Sequence, residues 1–83
     1  MLEVTKAKYL KDYTIWIEFN DGASGSVDLS DTLWGPMFEP LRDLKLFSKF
    51  QVSDTLHTIA WENGADLAPE YLYARLQHAV SSR

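Results

Sequence analysis

The stretch Trp61-Glu62-Asn63-Gly64-Ala65-Asp66-Leu67-Ala68-Pro69 constrains this chain more than any other. Asn63-Gly64 is its strongest turn dipeptide, because both residues tolerate positive φ. Pro69 stands where a helix accepts a missing N–H. Trp61 before the turn and Leu67 after it are placed to anchor both flanks in a core. The stretch is expected to close the last strand, turn, and start the only long helix. Asn63, Gly64, Asp66 and Pro69 are its structural turn and cap residues. Asp66 is expected to accept backbone N–H groups left free at the helix start, so that Asp66→Ala would cost about 1 kcal/mol.

Ahead of this stretch the pattern is that of strands. Residues 13–19 alternate most clearly, with Tyr13, Ile15, Ile17 and Phe19 on one face and Thr14, Trp16 and Glu18 on the other. Residues 3–10 read as a first strand joined to it by a Lys11-Asp12 turn, which makes a hairpin. Asn20-Asp21-Gly22 fits a three-residue hairpin loop with glycine at its left-handed position. A third strand over 23–29 puts Ala23, Gly25, Val27 and Leu29 on one face, with Gly25 weakening it or marking a bulge. Ser30 and Asp31 can each cap a helix. Trp34, in the irregular stretch up to Gly35-Pro36, is expected to plug the edge of the core. A short helix is expected around Met37–Asp43, limited by Pro40, with a second short turn over 44–49. Residues 50–53 and 57–61 read as a second hairpin linked by Asp54-Thr55-Leu56.

The spacing then predicts a helix over 69–80. Leu72, Leu76, Ala79 and Val80 form its inward stripe, with Tyr73 on the flank. The opposite arc carries Glu70, Tyr71, Ala74, Gln77 and His78, and the end, 81–83, is expected to fray. The order βββ-α-ββ-α segregates strands from helices. It predicts an α+β two-layer sandwich, an antiparallel five-stranded sheet with helices packed on one face. Residues 3–80 read as a single α+β domain with no second domain.

At 83 residues such a domain buries only about 60–65% of its unfolded surface. With no cysteine there is neither a disulfide nor a thiolate metal site to staple it. Three Trp, four Tyr and four Phe take that part. The absence of cysteine fits a reducing compartment, the N-terminus carries no signal-peptide pattern, and no apolar run approaches a membrane span. A cytoplasmic protein is expected, with no membrane partner. The net charge is −4, and residues 1–41 hold seven acids against three lysines. The basic cluster recognised in the sequence, Arg42, Lys45 and Lys49, is interrupted by Asp43 and reads as a solvated face. Phosphate binding needs clustered Lys and Arg, so no direct nucleic-acid partner is expected.

Val27-Asp28-Leu29, Pro36-Met37-Phe38-Glu39-Pro40-Leu41-Arg42-Asp43, Leu46-Phe47 and above all Ile59-Ala60-Trp61-Glu62-Asn63-Gly64-Ala65-Asp66-Leu67-Ala68-Pro69 carry a likeness. Through them the chain resembles the small bacterial family catalogued as domain of unknown function 2442, over about residues 3–76. It departs at Glu62, where many members are expected to have proline. The resemblance implies a compact α+β domain. It also implies either an accompanying helix-turn-helix domain or a stand-alone protein encoded beside a second small protein, an arrangement similar to toxin–antitoxin pairs. No helix-turn-helix segment is visible here, so a role in transcription would run through a DNA-binding partner. The family supplies no catalytic residues to carry over.

The residues alone assemble no catalytic set, and no cofactor or metal site is expected. His57 and His78 lie on different elements without partners at metal spacing. Ser24 and Ser26 lie in no nucleophile elbow and no phosphate loop. Asp28 with Asp31, or Glu62 with Asp66, can pair as acid and base or hold a divalent ion, although the calcium-loop pattern is missing. Trp16 faces away from the apolar side of its strand, and an exposed Trp is a common interface anchor; against this stands cover by the Trp34 loop. Tyr71, Ala74 and His78 form a second candidate contact strip. The chain therefore reads as a non-enzymatic interaction or regulatory module whose partner is another small protein or a second copy. Two alternatives stay open: a small-ligand or metal-dependent enzyme built on the acids, and a transcription-linked regulator.

Overall fold

In the computed structural model residues 1–76 are described. Strands β1 (Val4–Lys11), β2 (Thr14–Phe19) and β3 (Ser24–Asp28) form an antiparallel sheet in the order β1-β2-β3. The alternation of β2 sets its faces: Ile15, Ile17 and Phe19 are buried to 1% exposure or less. Burying each such side chain is worth about 1.5–3 kcal/mol. A one-residue slip would turn all three to water, so the register is fixed. Val4, Val27 and Leu29 complete this inner face.

The first turn is Asp12-Tyr13, one residue later than the sequence suggests, with Asp12 at φ 46°. Tyr13 leaves the strand but keeps its ring against Phe47 at 5.3 Å, while its hydroxyl donates to the Arg42 carbonyl. The second turn follows expectation. Gly22 has φ 90°, its N–H donates to the Phe19 carbonyl at 3.0 Å, and the Asp21 carboxylate accepts from the Ala23 N–H at 2.9 Å.

Between β3 and the next element Thr32 and Leu33 are buried and Trp34 is 70% exposed. Leu33, not Trp34, plugs the core. Gly35 follows Trp34 at φ 88°, a left-handed turn that carries the chain away from the core. The expected helix over 37–43 is a 3-10 turn, Glu39–Arg42, followed by the one-turn helix α1, Leu44–Phe47. Pro40 fits the opening of the 3-10 turn. Asp43 then adopts an extended conformation and caps α1 by accepting from the Lys45 N–H at 2.9 Å.

Strands β4 (Gln51–Val52) and β5 (Ile59–Ala60) pair as Gln51 with Ala60 and Val52 with Ile59. Here the five-stranded sheet is corrected. β4 and β5 form a sheet of their own. β1 donates its Val4 N–H to the His57 carbonyl at 2.9 Å, and no ladder follows among the described residues. His57 has φ 57°, which places it in the left-handed turn ahead of β5 and not on a strand edge.

Trp61 is 5% exposed, and its indole N–H donates to the Phe47 carbonyl at 2.9 Å. That carbonyl is one of the groups a helix end leaves unpaired. Gly64 takes φ 95° and closes the turn, with its N–H bonded to the Trp61 carbonyl at 3.0 Å. Asn63 accepts from the Ala65 N–H at 3.1 Å and donates to the Met37 carbonyl at 3.0 Å. Helix α2 spans Pro69–Ala74 with proline in its first turn. Asp66 does not cap it: the N-cap is Ala68, without a side-chain hydrogen bond. Asp66 instead pairs with Ala60 through a backbone bridge and is exposed. Asp66→Ala is therefore expected to move stability by no more than about 0.5 kcal/mol, as for an unengaged surface residue. A urea midpoint displaced by the full value of a lost cap would reinstate the capping role. Leu72 turns fully inward from α2. The helix ends at Ala74 with Arg75 as its C-cap, short of the expected span over 69–80; Gln77, His78, Ala79 and Val80 lie outside the described residues.

These elements make an α+β arrangement. Among the described residues no helix is long and apolar enough to cross a membrane.

Candidate functional site

The acids of the ligand-site reading serve separate local structures. The Asp28 carboxylate accepts from the Ser30 N–H at 2.9 Å in its own turn. Asp31 pairs with Arg75 at 3.5 Å. Asp66 is on the bridge to β5, and Glu62 is exposed beside the Asn63-Gly64 turn. Among the described residues no three His, Cys, Asp or Glu side chains converge into a metal-holding group. His57 lies 3.9 Å from Glu3 with half its side chain exposed. His78 is outside the described residues. Of the Arg42, Lys45 and Lys49 cluster, Arg42 is turned to donate to the Leu33 carbonyl at 2.7 Å.

One concavity exists near Glu62. It is an open groove of about 860 Å³ between the 3-10 turn, α1 and the β4–β5 hairpin. Leu41, Leu46, Phe50 and Trp61 line it together with Lys49, Asp54 and Glu62. It offers apolar walls with scattered charges, and of the four acids singled out in the sequence only Glu62 lines it.

Of the expected strip of Tyr71, Ala74 and His78, Tyr71 is not free surface. Tyr71 is half-buried against the core, and its hydroxyl shares a 2.9 Å hydrogen bond with the buried Thr32 hydroxyl. The Arg75 guanidinium stacks over its ring, 4.5 Å from the centroid. Tyr71 is about 100° around the helix from Leu72, close enough to the buried stripe to be drawn in. Only Ala74 of this strip is exposed among the described residues. On the other flank Tyr73 packs its ring against Phe19 at 5.0 Å and donates to the Asp21 carboxylate at 2.8 Å.

That last bond sets the one clear electrostatic feature. The Ala23 N–H first, and the Tyr73 hydroxyl second, hold the Asp21 carboxyl below the ordinary carboxylate range. The same carboxylate raises the Tyr73 phenol above its ordinary value. A depressed acid adds stability above its unfolded pKa, lost as pH falls through the folded one; a raised phenol adds stability below its unfolded pKa, lost as pH rises through the folded one. Tyr73→Phe is expected to move the Asp21 titration, followed by carboxyl NMR, part of the way back up. The Ala23 N–H, the larger cause, keeps it from returning fully. An unmoved titration would show that the Tyr73 bond does not act on Asp21.

Trp16 is on the face of the sheet opposite the core, half-buried, with Lys8 and Ser26 as its cross-strand partners. Among the described residues no aromatic ring pair includes Trp16 or Trp34, and Trp34 is 70% exposed. The alternation of β2 made this placement legible. What it concealed is the company Trp16 keeps on β1.

No curated protein and no solved structure matches the chain. The turn from Trp61 to Pro69, the 3-10 turn around Pro40 and the β2–β3 hairpin all fall within residues 4–78, over which the family described as Protein of unknown function (DUF2442) matches, and the chain belongs to that family.

Proposed function

We propose that the chain is a non-enzymatic interaction or regulatory module that works through the outer face of its three-stranded sheet. The observation that carries this is Trp16, a large aromatic side chain held partly exposed at the centre of that face while the other side of the sheet takes up the core. A partly exposed Trp on a rigid strand offers large contact area at little entropic cost. The partner is another small cytoplasmic protein or a second copy of this chain. Action as one half of a bacterial toxin–antitoxin-like pair, or on transcription through a DNA-binding partner, fits the same face.

The same reading takes residues 3–80 as one domain of two layers, helices over one side of the strands. It is supported by the reach of both helices to the inner face, Phe47 to Tyr9 and Tyr13 and Tyr73 to Phe19. The test is co-purification of the tagged chain from its native host. A discrete partner, or an untagged copy, is expected with the parent chain and not with Trp16→Ala. A strictly monomeric chain retaining nothing would remove the proposal.

A further inference from the structure

β1 departs twice from regular pairing. Its register with β2 shifts between Val4 and Lys6 and again between Tyr9 and Lys11. Val4, Ala7 and Tyr9 stand opposite Phe19, Ile17 and Ile15 on the core face. Lys6, Lys8 and Lys11 stand opposite Glu18, Trp16 and Thr14 on the outer face. In strict alternation from Val4, Lys6 and Lys8 would point into the core. With the first shift alone, Lys11 would turn inward and away from the other two. Both shifts are needed to bring the three lysines to one side, which is what bulges do when they re-aim side chains.

The outer face thus carries three parallel rows. β1 supplies exposed Lys6, Lys8 and Lys11; β2 supplies Thr14, Trp16 and Glu18; β3 supplies Asp28, Ser26 and Ser24. Three of the five lysines of a chain with net charge −4 are gathered here. Among the described residues the ion pairs are His57 with Glu3 and Arg75 with Asp31, so none of the three lysines is in one.

We propose that this face docks an extended acidic segment of a partner protein, with its carboxylates along the β1 lysines and an apolar side chain against Trp16. The spacing fits. Lys6 and Lys8 are two residues apart on a strand, about 6.5–7 Å, the distance between alternate side chains of an extended peptide. The polarity of the face also favours a protein over a nucleic acid. Glu18 and Asp28 lie on the same surface, opposite Lys6 and Thr14. A phosphate chain spread across the sheet would meet them, whereas a peptide can carry its acids on one edge alone. This inference rests on the interaction reading above and names the chemistry of its partner.

The test uses the full chain and two synthetic peptides, one with glutamate at alternate positions around a central tryptophan and one with glutamine in place of glutamate. Oligo-dT is the nucleic-acid control, and backbone and indole NMR shifts are the readout. The acidic peptide is expected to shift Lys6, Lys8, Lys11 and the Trp16 indole, and to bind about tenfold or more tightly than the glutamine peptide. Binding should weaken between roughly 0.05 and 0.5 M salt as screening shortens. Lys6→Glu with Lys8→Glu should abolish it; Lys6→Gln with Lys8→Gln, a milder change on the same exposed positions, should weaken it with an unchanged melting curve.

Equal binding of the two peptides, or shifts confined to other surfaces, would overturn the proposal. Tighter binding of oligo-dT would overturn it in favour of single-stranded nucleic acid. A native partner lost with Trp16→Ala but retained by the Lys6→Gln, Lys8→Gln chain would overturn the acidic segment while leaving the interaction module standing. A chain that retains no native partner in either form would remove the module itself.

Discussion

Phe47→Ala is expected to destabilise the protein by about 3–5 kcal/mol, the range for removing a buried aromatic ring. Phe47 has no exposed surface. Its ring meets Tyr9 at 6.2 Å, Tyr13 at 5.3 Å, Phe50 at 6.3 Å and Trp61 at 5.9 Å. It therefore joins the first strand, the first turn, the second hairpin and the Trp61 turn through a single side chain. The helix that carries it is four residues long, far too short to hold by its own propensity, so its position depends on this ring. A small domain with about 5–15 kcal/mol in hand loses a large share of it. Urea unfolding should show a lower midpoint at an unchanged slope. Trp34→Ala is the control: a ring of larger size, 70% exposed, should cost no more than about 0.5 kcal/mol. Equal costs for the two substitutions would mean that the aromatic cluster does not organise the core.

What the sequence revealed of this arrangement followed from local period and turn chemistry. β2 has an apolar residue at every second position and one buried face, so its register and the outward course of Trp16 were readable together. Asn20-Asp21-Gly22 and Asn63-Gly64 were readable because positive φ restricts the residue type at Gly22 and Gly64. β1 was not read in the same way. Its core-facing positions, 4, 7 and 9, break period two, and that spacing signals the first shift, which puts Lys6 and Lys8 on one face; the second shift, which brings Lys11 to their side, has no such mark in the apolar pattern. The division of the strands into two sheets depends on pairing between distant segments, which no local window records. Helical phase places Tyr71 toward solvent, but its bond to Thr32 spans 39 residues. Hydrophobicity alone points Trp34 inward, and its neighbour Leu33 takes the place.

Thr58→Val should cost about 1–3 kcal/mol, the penalty for a buried polar group left without its partner. Thr58 is 3% exposed, and its hydroxyl donates to the Leu67 carbonyl at 2.5 Å. Valine keeps the branched shape and the β propensity of the site, so the lost hydrogen bond is the main change. The consequence should be local as well as global. Leu67 precedes Ala68, whose carbonyl accepts from the Tyr71 and Leu72 N–H groups as α2 begins. Because Ala68 offers no side-chain cap, the entry to α2 is held from the Thr58 side. Hydrogen exchange at Tyr71 and Leu72 should therefore rise more than at Ile17 in the centre of the sheet. Thr58→Ser, which keeps the hydroxyl and loses a methyl group, should cost about 1 kcal/mol and leave that exchange pattern unchanged. If valine is tolerated better than serine, packing rather than the hydroxyl secures the turn. The contrast with Asp66→Ala then decides the matter for the whole stretch: the charged Asp66 within it is dispensable, and the residue that anchors it lies nine positions back from Leu67, on the approach to β5.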